Sequence, residues 1–274
     1  MIIALTVLAA LFCAGAAVFL VYWHKSRNYV FYSEIEDCSL PVLSMRYNGE
    51  DVNRTFGYTA EMDFKYIRDS VFVLESGYDM EIVFDMYGNT AESLQFLLYD
   101  FSEHTLVQRG NVNNFKYEDN DRVSAVLRID NMIDFDREYY IDIKLTDGNK
   151  RDIHYYSRVI YNTTSPVEEM MELVWTHHNA MYDKSGADYL VNFQEPNSAV
   201  NDSTNFGDIS LSSTVNSMTW GTMGVKVITK PAISIVDVDN DLGFFKLTYQ
   251  VGRTGDSGEY EYYNVSEYYR TRMY

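Results

Sequence analysis

The sequence predicts a mainly β protein with an α+β part and an N-terminal transmembrane helix. Three patterns lead to this expectation: an uncharged apolar run at the start, period-two alternation of apolar and polar residues along much of the chain, and a change to a helical period near residue 165. The 274 residues allow one or two domains, and 46% hydrophobic with 23% charged residues is the composition of a folded chain.

The N-terminal run, residues 1–23, contains no charged side chain and predicts a membrane anchor. At about 1.5 Å per residue, a helix of this length measures roughly 34 Å and crosses a hydrocarbon core of about 30 Å. Two alternatives remain open. A cleaved signal peptide could end at the small residues 14–17, although the apolar run continues beyond them. Cys13 could carry a lipid, although Phe12 before it is large.

Residues 24–37 are interpreted as a linker between the anchor and the folded part of the chain. Lys25 and Arg27 follow the apolar run, and the positive-inside rule taken alone would place the folded part in the cytoplasm. This bias rests on two charges only, and long domains cross membranes largely regardless of flanking charge. The flanking residues therefore leave the orientation open.

The charge balance and the cysteine content exclude one class of partner and one class of site. With 22 basic and 40 acidic residues the net charge is −18, which argues against nucleic acid because phosphate binding requires a basic face. The two cysteines, Cys13 and Cys38, supply neither a disulfide framework nor a four-cysteine zinc site. Cys38 has no base near it in the sequence and is expected to be a buried or idle thiol.

Residues 38–161 predict an antiparallel β-sandwich of the immunoglobulin or fibronectin kind. The segment 31–78 is expected to be irregular, and clear alternation begins after it. The alternating apolar positions are Met80, Ile82, Phe84 and Met86, then Leu94, Phe96 and Leu98, then Val123, Ala125, Leu127 and Ile129, then Tyr139, Ile141, Ile143 and Leu145. Asp147-Gly148 then marks a hairpin before Ile153. Short strands with one apolar face are typical of two packed sheets.

A change of period at Ser165 predicts a helix and a domain boundary at residues 162–165. Ser165 and Glu168 form a capping box, and Pro166 suits the first helical position. The apolar face of this helix is expected to contain Val167, Met170, Met171, Val174, His178 and Met181. Few contacts are expected to cross such a short polar boundary.

Residues 165–274 are therefore expected to form a separate α+β domain. A second short helix over 187–194 precedes a long antiparallel meander. Two helices inside a curved antiparallel sheet would give a cone-like, NTF2-like fold. The chain stops at Tyr274 directly after a predicted strand, so we expect this domain to be truncated at its C-terminal end.

Asp237, Asp239 and Asp241 place carboxylates at alternate positions, as calcium loops do. A helical calcium loop would also require glycine at its sixth position and glutamate at its twelfth, where this chain has Leu242 and Thr248. The simpler interpretation is a solvated hairpin turn. No cofactor is therefore expected, with Ca²⁺ at the three aspartates as the alternative.

The sequence carries none of the common catalytic motifs, which favours a protein that is not an enzyme. Gly-x-Ser-x-Gly, a phosphate-binding glycine loop and Ser-x-x-Lys do not occur in it. His177 and His178 are adjacent, and neighbouring helical residues point about 100° apart, so that the two cannot easily share one metal. A hydrolase with unrecognised carboxylate catalysis is the least favoured alternative.

Tyrosine is the most unusual part of the composition, with 24 copies. In the last predicted strand Tyr260 and Tyr262 share one face, and Tyr263 and Val265 share the other. Because Val265 is apolar, its face is expected to be buried, which leaves Tyr260 and Tyr262 exposed. Together with Trp220 these two tyrosines are the candidate binding residues, since exposed aromatic side chains anchor partners. The alternative is that they fill a core.

Five segments of the chain carry a resemblance: Leu40–Met45, Gly57–Met62, Asn205–Gly207, Thr219–Gly221 and Tyr262–Arg270. They are similar to a group of uncharacterised, single-span-anchored extracytoplasmic proteins of Gram-positive anaerobic bacteria. The resemblance covers most of residues 31–274 and implies neither an activity nor a site residue. It implies a single-pass protein of the cell membrane whose folded part is exported, with further sequence after its C-terminal strand.

These observations lead to two functional hypotheses. The leading one is a membrane-anchored extracytoplasmic module that is not an enzyme and binds another envelope protein or an envelope glycan. The alternative is an extracytoplasmic sensor or regulator arm that binds a small ligand in the second domain. An exposed strip of Tyr and Trp would favour the first hypothesis, and a closed apolar pocket between the helices and the last sheet would favour the second.

Overall fold

A computed structural model describes residues 13–21, 40–63, 66, 69–130, 133–182, 186–192, 219–220, 224–255 and 258–274. The chain divides into two units, Met1–Ser39 and Leu40–Tyr274. In the first unit residues 13–21 are helical (α1). Within the described ranges, no helix combines the length and the hydropathy that a membrane span requires. Most of the predicted anchor, and Cys38, lie outside these ranges.

The second unit is mainly β. Its strands are β1 (Val42–Tyr47), β2 (Glu50–Phe56), β3 (Val71–Leu74), β4 (Asp79–Asp85), β5 (Ala91–Asp100), β6 (Leu106–Val112), β7 (Lys116–Glu118), β8 (Arg122–Arg128), β9 (Glu138–Asp147), β10 (Asp152–Tyr161), β11 (Lys226–Val227), β12 (Ala232–Asp239), β13 (Leu242–Thr254) and β14 (Tyr260–Arg272). Of the described residues between β10 and β11, Val167–Tyr182 form helix α2 and Ala187–Val191 form helix α3.

The strands form two sheets that share one hydrophobic core. The nine-stranded sheet has the order β11-β13-β12-β2-β1-β4-β8-β7, with β14 also paired to β13. The five-stranded sheet has the order β3-β10-β9-β5-β6. Phe84 of the first sheet lies 5.4 Å from Tyr155 of the second, measured between ring centroids. Met170 of α2 and Phe245 of β13 belong to the same core cluster.

The alternation that the sequence predicts over residues 80–160 is confirmed. All the apolar positions named for these strands are buried, and the Asp147-Gly148 hairpin joins β9 to β10. The helix predicted after Ser165 is also confirmed as α2, with Val174 and His178 on its buried face. Period-two and period-3.6 patterns therefore identified the elements whose apolar residues recur on one face.

The segment 31–78, expected to be irregular, contains three strands. β1 and β2 form a hairpin whose turn residues, Asn48 and Gly49, have φ of 48° and 84°. Such positive φ values at both positions are typical of the tight turns that join antiparallel strands. β1 alternates only over the five residues Leu43–Tyr47, and β3 shows no alternation because all four of its residues are apolar and buried. The periodicity that identifies half-buried strands is absent from such strands.

Two strand pairs are parallel, which the antiparallel prediction missed. β3 pairs in parallel with β10, and β12 pairs in parallel with β2. The second pair matters for domain organisation, because β2 and β12 lie on opposite sides of the boundary predicted at 162–165. Leu40–Tyr274 is one compact unit, and residues 162–165 do not divide it.

Asn53 connects the two predicted domains directly. Its side chain is 1% exposed, its Nδ2 donates to the carbonyl of Val71 at 2.9 Å, and its Oδ1 accepts from the N–H of Ile235 at 2.8 Å. One buried amide thus satisfies backbone groups of β3 and β12. The buried guanidinium of Arg158 likewise donates to the carbonyl of Val236 and to Glu138. A buried polar contact of this kind is costly to break.

The predicted capping box at Ser165 is not formed. The Ser165 hydroxyl is buried and makes no hydrogen bond with the described part of the chain. Instead, the Oδ1 of Asn162 accepts from the N–H groups of Thr164 and Ser165, at 2.8 and 3.0 Å, and from the Thr164 hydroxyl at 2.9 Å. The turn before α2 is therefore fixed by Asn162, because an asparagine side chain can satisfy the backbone donors that follow it.

Replacing Asn162 with Ala should destabilise the protein by about 2 kcal/mol, because three donors lose one buried acceptor. Ser165→Ala is the matched control and should change the free energy of unfolding by less than about 0.5 kcal/mol. Urea denaturation of both variants measures the difference. If Ser165→Ala loses as much stability as the Asn162 variant, the Ser165 hydroxyl caps the helix as the sequence predicts.

Candidate functional site

The β13–β14 hairpin is the longest paired element of the described chain. The two strands pair along thirteen positions, from Leu242 opposite Arg272 to Thr254 opposite Tyr260, without a register shift. Odd-numbered residues such as Phe245 and Val251 point into the core. Because side chains alternate along a strand, the even-numbered residues form the other side, which we call the hairpin outer face.

The hairpin outer face is free of acidic residues. It consists of Leu242, Phe244, Lys246, Thr248, Gln250, Gly252 and Thr254 of β13 and Tyr260, Tyr262, Asn264, Ser266, Tyr268, Arg270 and Arg272 of β14. Three of these residues are basic, although the chain as a whole carries a net charge of −18. The acidic residues of β14, Glu261 and Glu267, are on the opposite side. The face is therefore locally positive on an acidic protein.

Two exposed tyrosines occupy the turn end of this face. Tyr260 is 46% exposed and Tyr262 is 62% exposed, and their ring centroids lie 5.1 Å apart in an edge-to-face arrangement. A Cβ atom at Gly252 would lie 2.6 Å from the ring of Tyr260. Glycine at this position therefore makes room for the ring to lie flat on the sheet. The exposure that alternation predicts for the two tyrosines is observed.

The other end of the face carries a second aromatic group. Tyr268 is 73% exposed, and the Lys246 ammonium lies 5.6 Å from its ring centroid. The Arg270 guanidinium lies at the same distance, 5.6 Å, from the ring of Phe244. Cations over aromatic rings at this distance are attracted by the ring electrons. The two basic residues therefore help to hold the rings in place.

The centre of the face is polar and neutral. The Nε2 of Gln250 donates to the Oδ1 of Asn264 at 3.3 Å, and Thr248 lies opposite Ser266. Tyr262 and Tyr268 are six residues apart on one strand, a separation of about 20 Å. The face is thus a strip with aromatic ends and a hydrogen-bonding centre.

Tyr263 differs from the prediction that its side of the strand is buried. It is 43% exposed, and its hydroxyl donates to Glu261. Tyr182, the last residue of α2, reaches the ring of Tyr249. Tyr263 lies opposite Val251, two residues further towards the hairpin turn than Tyr249. The apolar Val265, two residues away, correctly indicated that Tyr263 lies on the inner side of the strand. It gave no information on how far α2 extends over that side.

Trp220 does not join the two exposed tyrosines. Its ring stacks on Tyr182 with a centroid distance of 6.0 Å and an interplanar angle of 6°. Tyr182 packs against Tyr249, on the inner side of the hairpin. Tyr260 and Tyr262 are on the outer face, so the three predicted binding residues lie on opposite sides of the hairpin.

The inner side of the hairpin holds a buried carboxylate that sequence analysis missed. Glu267 accepts from three groups: the Tyr249 hydroxyl at 2.5 Å on Oε1, and the Tyr269 hydroxyl at 2.7 Å and His178 Nδ1 at 2.8 Å on Oε2. We call these four residues the Glu267 cluster. The contact with a carboxylate acceptor places a proton on Nδ1 of His178. The cluster joins α2 to both strands of the hairpin.

Burial and hydrogen bonding have opposite effects on the Glu267 carboxyl. Burial raises its pKa, but the hydrogen bonds from His178, Tyr249 and Tyr269 outweigh this effect and the pKa lies below its ordinary value. Burial, followed by the contact with Glu267, raises the pKa values of Tyr249 and Tyr269. Burial also raises the pKa of the neighbouring Tyr182 to about 12. The cluster is therefore an ionised carboxylate surrounded by neutral phenols at neutral pH.

The three candidate calcium ligands have separate partners. Asp237 lies 3.6 Å from Arg158, Asp239 accepts from Asn240, and Asp241 lies 3.3 Å from Arg272. β12 and β13 are joined by a two-residue turn at this point, in agreement with the hairpin interpretation. Within the described ranges, no three His, Cys, Asp or Glu side chains converge on a metal position.

A second buried acid–base pair lies on the outside of the five-stranded sheet. The Nδ1 of His154 lies 3.0 and 3.1 Å from the two oxygens of Asp142. Burial raises the pKa of Asp142, against the opposing effect of His154. The Tyr156 hydroxyl beside this pair accepts from the N–H of Met62. The only sequence signal was that Asp142 and His154 occupy outward positions on neighbouring strands.

The fold and the hairpin define the chain as a mainly β protein with an exposed aromatic strip on a β-hairpin. No protein-family model matches the chain, and a search of curated proteins finds no match.

Proposed function

We propose that the chain is a binding module, not an enzyme, and that its partner is an extended glycan chain lying along the hairpin outer face. The observation that carries the proposal is the acid-free strip with Tyr262 and Tyr268 exposed at its two ends. A sugar ring has an apolar face that stacks on an aromatic ring, and hydroxyl groups that bond to amides. Gln250 and Asn264 supply such amides between the tyrosines.

The arrangement of the strip favours a glycan over a protein partner. Protein interfaces concentrate aromatic anchors at the centre and surround them with a polar rim. On the hairpin outer face the order is reversed, since the rings lie at the ends and Thr248 and Ser266 lie between them. A glycan one sugar unit wide that contacts the face at Tyr262 and Tyr268, about 20 Å apart, fits this arrangement better.

The small-ligand alternative receives less support. It requires space between α2 and the last sheet, where the Glu267 cluster and the ring of Tyr182 are packed together. Trp220, the third predicted binding residue, stacks on this packed group.

We propose that residues 1–23 anchor the chain in the cell membrane and that the folded part is extracytoplasmic, supported by the uncharged N-terminal run. We propose that residues 38–161 have an immunoglobulin- or fibronectin-like arrangement, which is supported by two sheets around one core. We propose a cone-like arrangement for residues 165–274, which is supported by the packing of α2 on the β13–β14 hairpin.

Titration of the full chain with solubilised peptidoglycan, with cellohexaose and chitohexaose as comparison glycans, tests the proposed function. Tyr262→Ala and Tyr268→Ala should each weaken binding about tenfold, because a truncated anchor costs more than about 1 kcal/mol. Tyr117→Ala is the matched control, since Tyr117 is 70% exposed on β7 and off the strip. Failure of the wild type to bind any of the three glycans, or equal losses in all three variants, would contradict the proposal.

A further inference from the structure

The edge strands of the two sheets differ greatly in length. β11, β7 and β3 have 2, 3 and 4 residues, and β6 has 7. β14 has 13 residues and, among the described strands, pairs only with β13. A long edge strand presents a row of backbone donors and acceptors to any other strand, and proteins usually shorten or disrupt such edges.

β14 lacks several of the usual protections against pairing, although it carries charged residues such as Arg270 and the inward-pointing Glu267. Its sequence contains neither proline nor glycine, and its register with β13 has no bulge. Tyrosine, valine and threonine, which are common in strands, make up much of it. The strand is therefore regular and suited to accept a further strand along its whole length.

We propose that β14 pairs antiparallel with β14 of a second copy of this chain, around a two-fold axis at Ser266. Ser266 is the midpoint of Tyr260–Arg272, so this register alone pairs all thirteen residues. A two-fold axis perpendicular to the sheet continues both faces into the partner. The nine-stranded sheet then extends across the dimer, and the hairpin outer face doubles in width.

The cross-strand pairs of this register are chemically complementary. On the outer face Tyr262 lies opposite Arg270 of the second copy, and Tyr260 lies opposite Arg272, which places guanidinium groups beside aromatic rings. On the inner face Glu261 lies opposite Thr271, Tyr263 opposite Tyr269, and Val265 opposite Glu267. No position sets two like charges against each other.

A register whose two-fold axis lies two residues nearer to the hairpin turn, at Asn264, is less favourable. It places Glu261 directly opposite Glu267 of the second copy, and like charges in that position are destabilising. It also leaves the last four residues of β14 unpaired. Charge complementarity and length therefore both favour the register centred on Ser266 over the register centred on Asn264.

Cysteine cross-linking in the full chain tests the pairing directly. In a chain with Cys13→Ser and Cys38→Ser, Ser266→Cys places two thiols opposite each other, with Cα atoms about 4.5–5.5 Å apart, a separation that a disulfide can bridge. Mild oxidation should convert most of the chain to a covalent dimer. Asn264→Cys is the matched control, because its two thiols are about 13 Å apart in this register and should not react.

A second pair of variants tests the dimer without oxidation. Ser266→Lys places like charges at the axis and should weaken association at least tenfold, measured as mass by light scattering. Thr248→Lys introduces the same charge on the same face of β13, one strand inside, and should leave the dimer intact. A monomeric wild type, cross-linking at position 264 in place of 266, or equal effects of the two lysines would overturn the proposal. These outcomes are independent of whether glycans bind.

Discussion

A fragment comprising residues 31–161 should fail to fold, while 31–274 should unfold cooperatively. The fragment lacks β12, the parallel neighbour of β2, and the core residues Ile233, Ile235 and Phe245. It also leaves the Oδ1 of Asn53 without the N–H of Ile235, and Arg158 without the carbonyl of Val236. Domains have a stability of only about 5–15 kcal/mol, so we expect the loss of several buried contacts at once to unfold the fragment.

Circular dichroism and thermal denaturation of both chains measure this effect. The fragment should show no cooperative transition, since its sheet lacks one neighbour and part of its core. Asn53→Ala in the longer chain is a milder version of the same test and should cost about 2 kcal/mol. Cooperative melting of the fragment would show that the chain does divide into two domains at 162–165.

Glu267→Ala should destabilise the protein by about 3 kcal/mol, the second largest effect that we expect. The substitution leaves His178, Tyr249 and Tyr269 without their shared acceptor in a buried place. Glu261→Ala, on the same side of β14 but closer to solvent, is the matched control and should change stability by less than about 0.5 kcal/mol. Urea denaturation at pH 7 gives both values.

The Glu267 cluster also predicts how stability depends on pH. The folded-state pKa of Glu267 lies below its ordinary value of 4.5, so the stabilisation is complete above that value and is lost as pH falls through the folded-state pKa. Glu267→Gln should therefore flatten the stability profile below about pH 4.5, the range in which the carboxylate takes up its proton. A variant whose profile keeps the wild-type slope in this range would show that Glu267 does not contribute to it.

Sequence patterns predicted the elements that carry a hydrophobic periodicity of their own. β4, β5 and β8 each direct alternate apolar residues into the core, and α2 buries every third or fourth residue, so each of these elements carries its own signal. β3 carries no such signal because all four of its residues are apolar and buried. The position of β12 beside β2 depends on a contact between Asn53 and Ile235, 182 residues apart, that no local pattern records.

The candidate site was predictable in part for the same reason. Alternation in β14 correctly placed Tyr260 and Tyr262 on an exposed face. Tyr268 was not singled out, because its significance depends on Lys246 of the neighbouring strand. The Glu267 cluster was missed because His178 and Glu267 are 89 residues apart and meet only when α2 packs on the hairpin.

The most direct test of the binding face is nuclear magnetic resonance of the ¹⁵N-labelled full chain during titration with solubilised peptidoglycan. The side-chain amide signals of Gln250 and Asn264 report on the centre of the hairpin outer face, and those of Asn111 and Asn113 report on a distant cleft near β6. We predict that the signals of Gln250 and Asn264 shift until binding is saturated, while those of Asn111 and Asn113 do not shift. Unchanged signals at Gln250 and Asn264, with shifts at Asn111 and Asn113, would contradict the account.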